Sequence, residues 1–140
     1  MTREITIYPV SGPALGGIFR HVQEYFESFA ARSKATTVEG LWQDVVTSKR
    51  QMWLAFEGDD IKACALSKFE KGEAGSTVEM THCSGEEREK WAEQLVNMVR
   101  DWAKAEGATS FRTYSRPGWT PFLKKMGMRE THRVMEQDIG

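Results

Sequence analysis

The chain has 140 residues, of which 40% are hydrophobic, and its 19 basic and 20 acidic residues leave a formal net charge of −1. This length suits one domain, residues 1–140, with a single core, and the balanced charge provides no global field toward nucleic acid or an anionic membrane. The two cysteines, Cys64 and Cys83, lack the spacing of metal ligands or of a disulfide scaffold, and no long apolar run indicates a signal peptide or a membrane span, so we expect a cytoplasmic protein without a metal.

The first predicted elements are a strand and two helices. Residues 4–10 alternate apolar and polar side chains and end at Pro9 and a Ser-Gly-Pro cluster, which predicts a short edge strand. Apolar residues recur on one stripe over residues 14–31, which predicts a helix. Thr37 can cap a second, shorter helix, which has a compact apolar face despite Gly40 inside it.

Three strand-like runs follow. Residues 51–57 and 61–69 are joined by a Gly-Asp-Asp turn, which predicts a hairpin. Residues 76–82 alternate, with Val78 and Met80 on one face, and come after a second turn. The three runs together predict an antiparallel meander.

The third of these strands leads directly into the longest predicted helix. Ser84 and Glu87 have the spacing of a capping box, in which the hydroxyl accepts from a first-turn amide and the carboxylate reaches back to the amide of the cap, so we expect the helix to begin at Ser84. Gly107 is placed to end this helix in the left-handed conformation. Many proteins hold an anion where a strand runs into a helix N-terminus. This junction is therefore the first candidate for a ligand site.

The last third alternates strand, helix and strand. Residues 109–115 predict a strand that is broken at Pro117. Residues 120–126 predict a short helix that is closed by Gly127, and residues 129–139 predict a last strand. The fold class is therefore α/β (α+β). We expect a mixed, mostly antiparallel sheet of about six strands with about four helices packed on it.

This element order, together with PFLKKMGM at residues 121–128, resembles the GNAT superfamily of acetyl-CoA-dependent N-acetyltransferases. In that family the segment is a short helix that ends in a glycine and an apolar residue, which Gly127 and Met128 match. The resemblance covers the whole chain in element order and implies acetyl-CoA as cofactor. More narrowly, the Ser-Gly turn before the long helix and the FLKKMG segment look like the small GNAT-like proteins of tailed phages, some of which are carried inside the virion.

The chain departs from the loop that cradles the CoA pyrophosphate in active members of that family. There, a glutamine or arginine is followed by two residues, a glycine, any residue, and a glycine or alanine. Residues 82–88 here read HCSGEER, with one glycine and two carboxylates, Glu86 and Glu87. Carboxylates compete with a pyrophosphate for the positive end of the helix and repel it. Ser84 and Glu87 therefore either cap the helix alone or belong to a working CoA site.

The resemblance also places Leu123 where many members have a tyrosine that reprotonates the departing thiolate, and leucine cannot donate a proton. Tyr114 on the preceding strand is the candidate replacement. In the resemblance, the cofactor cleft lies between the strand of residues 76–82 and the strand of residues 109–115. Glu79, on the first of these strands, is the best candidate for a general base, and His82 at its end is a candidate proton shuttle. Each has a structural alternative: a rim tyrosine, a paired or solvated carboxylate, and a surface histidine.

The resemblance implies a cofactor site formed by the strand end, the helix start and the basic last third. The residues predicted to contact the cofactor are Met80, Thr81, Ser84, Gly85, Glu86, Arg88, Arg116 and Lys124. The basic residues of the last third are alternatively a solvated face. Trp119, in a loop beside the expected cleft, is predicted to contact a ligand or a partner.

Two functions are consistent with these residues. The first is a GNAT-fold binding or structural protein of phage type with a degenerate acetyl-CoA site, which acts on phage or host proteins in the host cytoplasm or the virion. The second is an active acetyl-CoA-dependent N-acetyltransferase that acts on a primary amine of a small molecule or protein, with Glu79, His82 and Tyr114 as candidate catalytic residues. Neither function calls for a metal, a specific nucleic acid or membrane insertion.

Overall fold

The computed structural model describes residues 3–33, 35–132 and 134–139. Its strands are β1 (Ile5–Val10), β2 (Gln51–Glu57), β3 (Asp60–Lys71), β4 (Ser76–Gly85) and β5 (Ser110–Thr113). Its helices are α1 (Phe19–Ala31), α2 (Val38–Val46), α3 (Arg88–Ala105) and α4 (Thr120–Lys125), with 3-10 turns at Gly12–Leu15 and Pro117–Trp119. The predicted α/β class with a mixed, mostly antiparallel sheet is confirmed.

The strands form one sheet in the order β1-β2-β3-β4-β5. Neighbouring strands are antiparallel except β4 and β5, which run parallel. The parallel pair follows from the chain path, because α3 connects β4 to β5 and a crossover helix returns the chain to the same end of the sheet. The edge position of β1 and the hairpin between β2 and β3 agree with the sequence predictions.

Helices cover both faces of the sheet, and strand side chains alternate between two cores. The core under α3 takes the strand residues Ile7, Trp53, Ala55, Ala63, Ala65, Val78 and Met80. The core under α1 and α2 takes the strand residues Met52, Leu54, Cys64 and Leu66. Because β2 and β3 contribute to both cores, they form the buried centre of the fold.

Three predicted helix boundaries are confirmed. Thr37 Oγ1 accepts a hydrogen bond from the amide of Gly40 at 3.0 Å, which caps α2. Gly107 follows α3 and Gly127 follows α4, and both have φ of +88°. These values lie in the left-handed region that glycine adopts without a steric penalty, so each glycine ends its helix as expected.

The predicted capping box at Ser84 is wrong. β4 pairs with β3 as far as Gly85, opposite Ala63, so Ser84 is a strand residue and not a helix cap. α3 begins at Arg88, preceded by Glu87, which has φ of +55° and makes no side-chain cap hydrogen bond. Pairing with β3 therefore overrides the local cap signal.

The strand predicted over residues 129–139 is not formed in the described residues of that range. Val134, Met135 and Ile139 are 75%, 92% and 92% exposed, so they do not add to either core. The segment lacks strict alternation and has few apolar residues, which leaves a sheet face with little to bury. The strand count is thus five within the described residues, close to the predicted six.

Candidate functional site

The parallel strands β4 and β5 separate before β4 ends. Their pairing runs from Thr77 opposite Ser110 to Met80 opposite Thr113, where β5 stops. β4 continues to Gly85 with β3 as its neighbour. The backbone groups of this last part of β4 that point away from β3 face a cleft instead of a strand, and such an edge can pair with the amide groups of a ligand.

A β-bulge occurs in β4 where β5 leaves. Leu66 of β3 pairs with His82, whereas the next β3 residue pairs with Met80, so Thr81 is the extra residue. Thr81 Oγ1 accepts a hydrogen bond from Arg50 Nη1 at 2.7 Å. A bulge bends its strand and increases the local twist, which helps the end of β4 to diverge from β5.

The space between the separated strands is an open cavity of about 470 Å³. Its wall is formed by the end of α1, the end of β4, the start of α3 and the segment after β5. The lining residues are Phe29, Arg32, Ser33, Met80, Thr81, His82, Cys83, Ser84, Gly85, Arg88, Trp91, Thr113, Tyr114, Ser115, Arg116 and Trp119. A cavity of this size is in the range of small-molecule and cofactor sites.

Aromatic side chains form one wall of the cavity. The ring of Trp119 lies 6.1 Å from that of Trp91 and 5.9 Å from that of Phe122, measured between centroids. The guanidinium carbon of Arg88 lies 4.9 Å from the Trp119 centroid, which is a cation–π distance. Trp91 Nε1 donates to the carbonyl of Glu86 at 2.6 Å and ties α3 to the preceding turn. Trp119 therefore lines the cavity, and its contact with a ligand stays a prediction.

His82 faces the cavity as a neutral side chain. Its ring centroid lies 5.2 Å from that of Phe29, and its Nδ1 lies 2.9 Å from Thr81 Oγ1. Burial, followed by the charges of Arg50 and Arg32, lowers the pKa of His82 from 6.5 to about 4. At neutral pH the imidazole is uncharged and can accept a proton only as a weak base.

The two cysteines are not activated for nucleophilic chemistry. Burial raises the pKa of the Cys83 thiol to about 12, against a smaller opposing effect of Arg32. Burial also raises the pKa of the Cys64 thiol. The thiolate is the reactive form, so both free thiols are inert at neutral pH, and Cys83 lines the cavity as a small apolar group.

Three arginines, Arg32, Arg88 and Arg116, line the cavity, and the described lining contains no aspartate or glutamate. Arg32 Nη1 lies 3.5 Å from the carbonyl oxygen of Cys83, and burial, together with the charge of Arg116, lowers the pKa of Arg32. None of the ion pairs between described residues engages these three guanidinium groups. The cavity is therefore positive and suited to an anionic ligand.

A separate cluster of four charged residues holds the turn before α3. We call it the Glu57 network, and it consists of Glu57, Lys62, Glu87 and Lys90. The buried carboxylate of Glu57 lies 3.1 Å from Lys90 Nζ and 3.9 Å from Lys62 Nζ. The same lysines lie 2.7 and 3.2 Å from the Glu87 carboxylate, and their hydrogen bonds lower the pKa of Glu87. Glu87 is thus held by Lys62 and Lys90 and is not part of the cavity lining, and its competition with an anion stays a prediction.

The structure brings most of the predicted cofactor residues together. Those that line the cavity are Met80, Thr81, Ser84, Gly85, Arg88 and Arg116. Glu86 is exposed in the turn outside the lining, where its amide donates to the carbonyl of Lys62 at 3.0 Å. Lys124 is exposed in the last turn of α4, also outside the lining. Cofactor contact stays a prediction for all eight residues.

The three predicted catalytic residues have different surroundings. His82 and Tyr114 line the cavity, and Tyr114 is 53% exposed. Glu79 lies outside the described lining, and its carboxylate accepts a hydrogen bond from Arg112 Nη1 at 2.9 Å across the β4–β5 pair. Leu123 is 6% exposed and outside the lining. The position that the resemblance assigns to a general-acid tyrosine is therefore buried away from the cavity.

Gly85 has a structural reason to be glycine. A Cβ at this position would lie 2.5 Å from the carbonyl oxygen of Lys62 and 2.5 Å from the Cβ of Ala63, closer than real contacts allow. The close approach of β4 to β3 therefore requires a residue without a side chain, so the presence of Gly85 in the lining does not by itself indicate a ligand contact.

The contribution of the end of α1 to the site was not predicted from the sequence. Phe29, Arg32 and Ser33, at or just after the end of α1, line the cavity opposite the end of β4. Arg32 is separated by 51 residues from Cys83, whose carbonyl it contacts, so no local pattern could join them. The available signal was an arginine just beyond the apolar stripe of a helix, which also fits a solvated cation near a helix C-terminus.

No protein-family model matches the chain, and no curated protein matches it in sequence. Solved structures do resemble it over nearly its whole length. Glucosamine-6-phosphate N-acetyltransferase from Arabidopsis thaliana has a TM-score of 0.73 and 13% identity, covering 97% of this chain and 99% of that one. A predicted acetyltransferase with acetyl-CoA from Clostridium acetobutylicum has a TM-score of 0.71 and 12% identity, covering 96% of each chain. An aminoglycoside acetyltransferase from an uncultured soil metagenomic sample, in complex with sisomicin, has a TM-score of 0.71 and 9% identity, covering 97% of each chain.

These likenesses show that the chain has the GNAT fold, as the sequence predicted. The narrower resemblance to phage proteins stays a prediction. Within the described residues, no helix is both long and apolar enough to cross a bilayer. The same part of the chain contains no group of three or more His, Cys, Asp or Glu side chains arranged to hold a metal ion.

Proposed function

We propose that the protein is an acetyl-CoA-dependent N-acetyltransferase that acts on a primary amine in the cytoplasm. The observation that carries this proposal is the open, positive cavity at the point where β4 and β5 separate. Support also comes from the Clostridium acetobutylicum structure, which has the same fold and was solved with acetyl-CoA.

The start of α3 would hold the phosphate groups of the cofactor. The first amides of a helix have no partner within the helix, and the helix dipole favours negative charge at that end. Arg88, the first residue of α3, adds a guanidinium group to the cavity wall. The carboxylate of Glu87 pairs with Lys62 and Lys90 and makes no cap hydrogen bond to the first amides of α3.

The free edge of β4 would hold the amide-containing arm of the cofactor beside Met80 and Thr81. Acetyl-CoA supplies an acyl group as a thioester. The net reaction joins the amine nitrogen to the acyl carbon, breaks the carbon–sulfur bond and moves one proton from nitrogen to sulfur. The chain's own residues would position the amine and handle that proton.

His82 is our first candidate to accept the amine proton, because it is neutral and faces the cavity. Tyr114, at the exposed edge of the same cavity, is the candidate to protonate the sulfur. Glu79 is a weaker candidate than its sequence position suggested, since its carboxylate is hydrogen-bonded to Arg112 and lies outside the lining.

A second candidate function is a phage-type binding protein that has lost acyl transfer and acts on phage or host proteins in the host cytoplasm or the virion. The buried position of Leu123 favours it, because this residue replaces the expected general acid and cannot donate a proton. The single glycine in the turn before α3 points the same way.

Titration calorimetry with acetyl-CoA separates the two functions. We expect binding in the micromolar range, near −8 kcal/mol. Desulfo-CoA, which keeps the nucleotide but cannot carry an acyl group, should bind with similar affinity. Replacing Arg88→Gln should weaken both ligands about threefold to tenfold, because a charge-assisted contact with phosphate is lost.

Arg100→Gln is the matched control, since Arg100 is an exposed arginine of the same helix, paired with Asp101 and outside the cavity lining. It should leave both affinities unchanged. An absence of heat up to about millimolar ligand, with the protein folded, would rule out the cofactor and leave the binding-protein function.

A further inference from the structure

The cavity has two sides that belong to opposite faces of the sheet, and the following inference rests on the proposed function. Arg88 and Trp119 lie on the side of α3, where the cofactor phosphates would bind. Phe29 and Arg32 lie on the side of α1, which packs on the other face. If the cofactor approaches along α3, the acceptor amine must enter from the side of α1.

Among the described residues, the α1 side of the cavity carries positive charge that no carboxylate of the lining balances. Arg32 contacts only a backbone carbonyl among its described hydrogen bonds and faces the charge of Arg116. Arg50 also donates to Thr81 Oγ1 next to His82, but it lies outside the lining and its charge is paired with Asp44 at 3.0 Å. The described lining contains no carboxylate that balances Arg32 and Arg116.

We infer that the acceptor is a primary amine that also carries an anionic group, a carboxylate or a phosphate, and that Arg32, with Arg116, binds this group. Guanidinium groups match both anions through paired N–H donors. A polycationic amine is disfavoured in the same place, because its charges are repelled by the guanidinium groups.

The same positive charge assists the chemistry at the amine. Burial, followed by the charges of Arg50 and Arg32, lowers the pKa of His82, and these positive charges act in the same direction on an ammonium group bound beside that ring. The amine would therefore lose its proton more readily, which reduces the demand on a strong general base. This explains how a site whose described lining has one histidine, a weak base, could still use an amine.

Matched acceptors test the inference, with release of free thiol from acetyl-CoA as the readout. The pairs are O-phosphoethanolamine against ethanolamine and β-alanine against β-alaninamide, and spermidine is the polycation. We expect the anionic member of at least one pair to have kcat/KM about tenfold higher, and spermidine to be the poorest acceptor. Comparing the two pairs distinguishes a phosphate from a carboxylate.

Arg32→Gln should reduce the preference for the anionic acceptor to about twofold or less while leaving acetyl-CoA affinity unchanged. Arg20→Gln, an exposed position on the same helix outside the cavity lining, is the control and should keep the preference. Binding of the same acceptors to protein saturated with desulfo-CoA is measured by calorimetry, so that the affinity is known even where turnover is slow.

Equal or better use of neutral amines or spermidine would overturn the inference, and so would a preference that survives Arg32→Gln. A lack of both transfer and Arg32-dependent acceptor binding would overturn it as well. Failure of the proposed function is seen separately, as a lack of acetyl-CoA binding.

Discussion

Two charged regions lie on either side of the end of β4, and they are built differently. In the Glu57 network each carboxylate contacts two lysines, and Arg3 adds a further contact 3.7 Å from Glu57. In the cavity, the guanidinium groups of Arg32, Arg88 and Arg116 have no described carboxylate partner. The first region contains its own counter-charges, whereas the second lacks them.

This difference separates charges that support the fold from charges available to a ligand. Charges removed from water are retained when they are paired, because an unpaired buried charge is strongly destabilising. The cavity arginines are exposed to solvent, so water screens them until an anion displaces it. Substitutions in each region therefore show whether the two kinds of charge behave in these two ways.

The largest expected effect is the loss of Glu57. Glu57→Gln leaves Lys62 and Lys90 without their buried partner, so we expect the free energy of unfolding to fall by about 2 kcal/mol. Arg32→Gln, in the unpaired region, should change it by no more than about 0.5 kcal/mol, because an exposed cation without an acidic partner adds little to stability. Urea denaturation at pH 7 measures both.

Equal losses of unfolding free energy in Glu57→Gln and Arg32→Gln would contradict the distinction between paired and unpaired charges. Lys68→Gln is a useful reference, because Lys68 forms an exposed ion pair with Glu70 at 2.9 Å on the same sheet. Its effect should be close to that of Arg32→Gln and well below that of Glu57→Gln.

The next effect is a pH dependence caused by His82. Its pKa is about 4 in the folded protein and 6.5 in the unfolded chain, so the unfolded state binds more protons between these values. The free energy of unfolding therefore has its full value above pH 6.5, where the ring is neutral in both states, and decreases as the pH falls toward 4. We expect a loss of about 1 to 2 kcal/mol, reduced from the full shift because part of the ring faces the solvent-filled cavity.

The measurement compares unfolding free energies of the wild type and His82→Gln between pH 7 and 4. Subtracting the two curves removes the contributions of the other histidines and of the carboxylates, which both proteins share. The charged groups that act on His82 from neighbouring segments are Arg32, directly after α1, and Arg50, directly before β2. If the difference between the two curves is flat over this range, the pKa of the ring is not lowered by burial and the neighbouring arginines.

The sequence was sufficient for most of the fold because the signals there are local. Apolar stripes located α1 and α3, the Gly-Asp-Asp turn located the β2–β3 hairpin, and Gly107 and Gly127 located two helix ends. The start of α3 was predicted wrongly for a physical reason. Ser84 has a good local cap pattern, but the pairing of β4 with β3 continues through Gly85.

The site could be predicted only in part, because its properties depend on pairs that are distant in sequence. The strand end and the helix start indicated Thr81, His82 and Arg88, which line the cavity, and their roles stay predictions. The register of the parallel pair places Glu79 opposite Arg112, 33 residues away, which no local pattern reveals. The approach of Arg32 to the end of β4 was hidden for the same reason.

The smallest effect tests whether the Glu57 network also protects the cavity. If Lys62 keeps the Glu87 carboxylate from the amino end of α3, Lys62→Met should weaken acetyl-CoA binding about twofold to fivefold, since a carboxylate near that end opposes an anion. Glu87→Gln alone should have little effect because its charge is already paired, and the double variant Lys62→Met/Glu87→Gln should recover most of the affinity. Calorimetry at low salt measures all four proteins, and a double variant as weak as Lys62→Met would mean that Lys62 attracts the cofactor directly. In that case the two charged regions form one electrostatic site, and the separation between fold-supporting and ligand-facing charges would not hold at the start of α3.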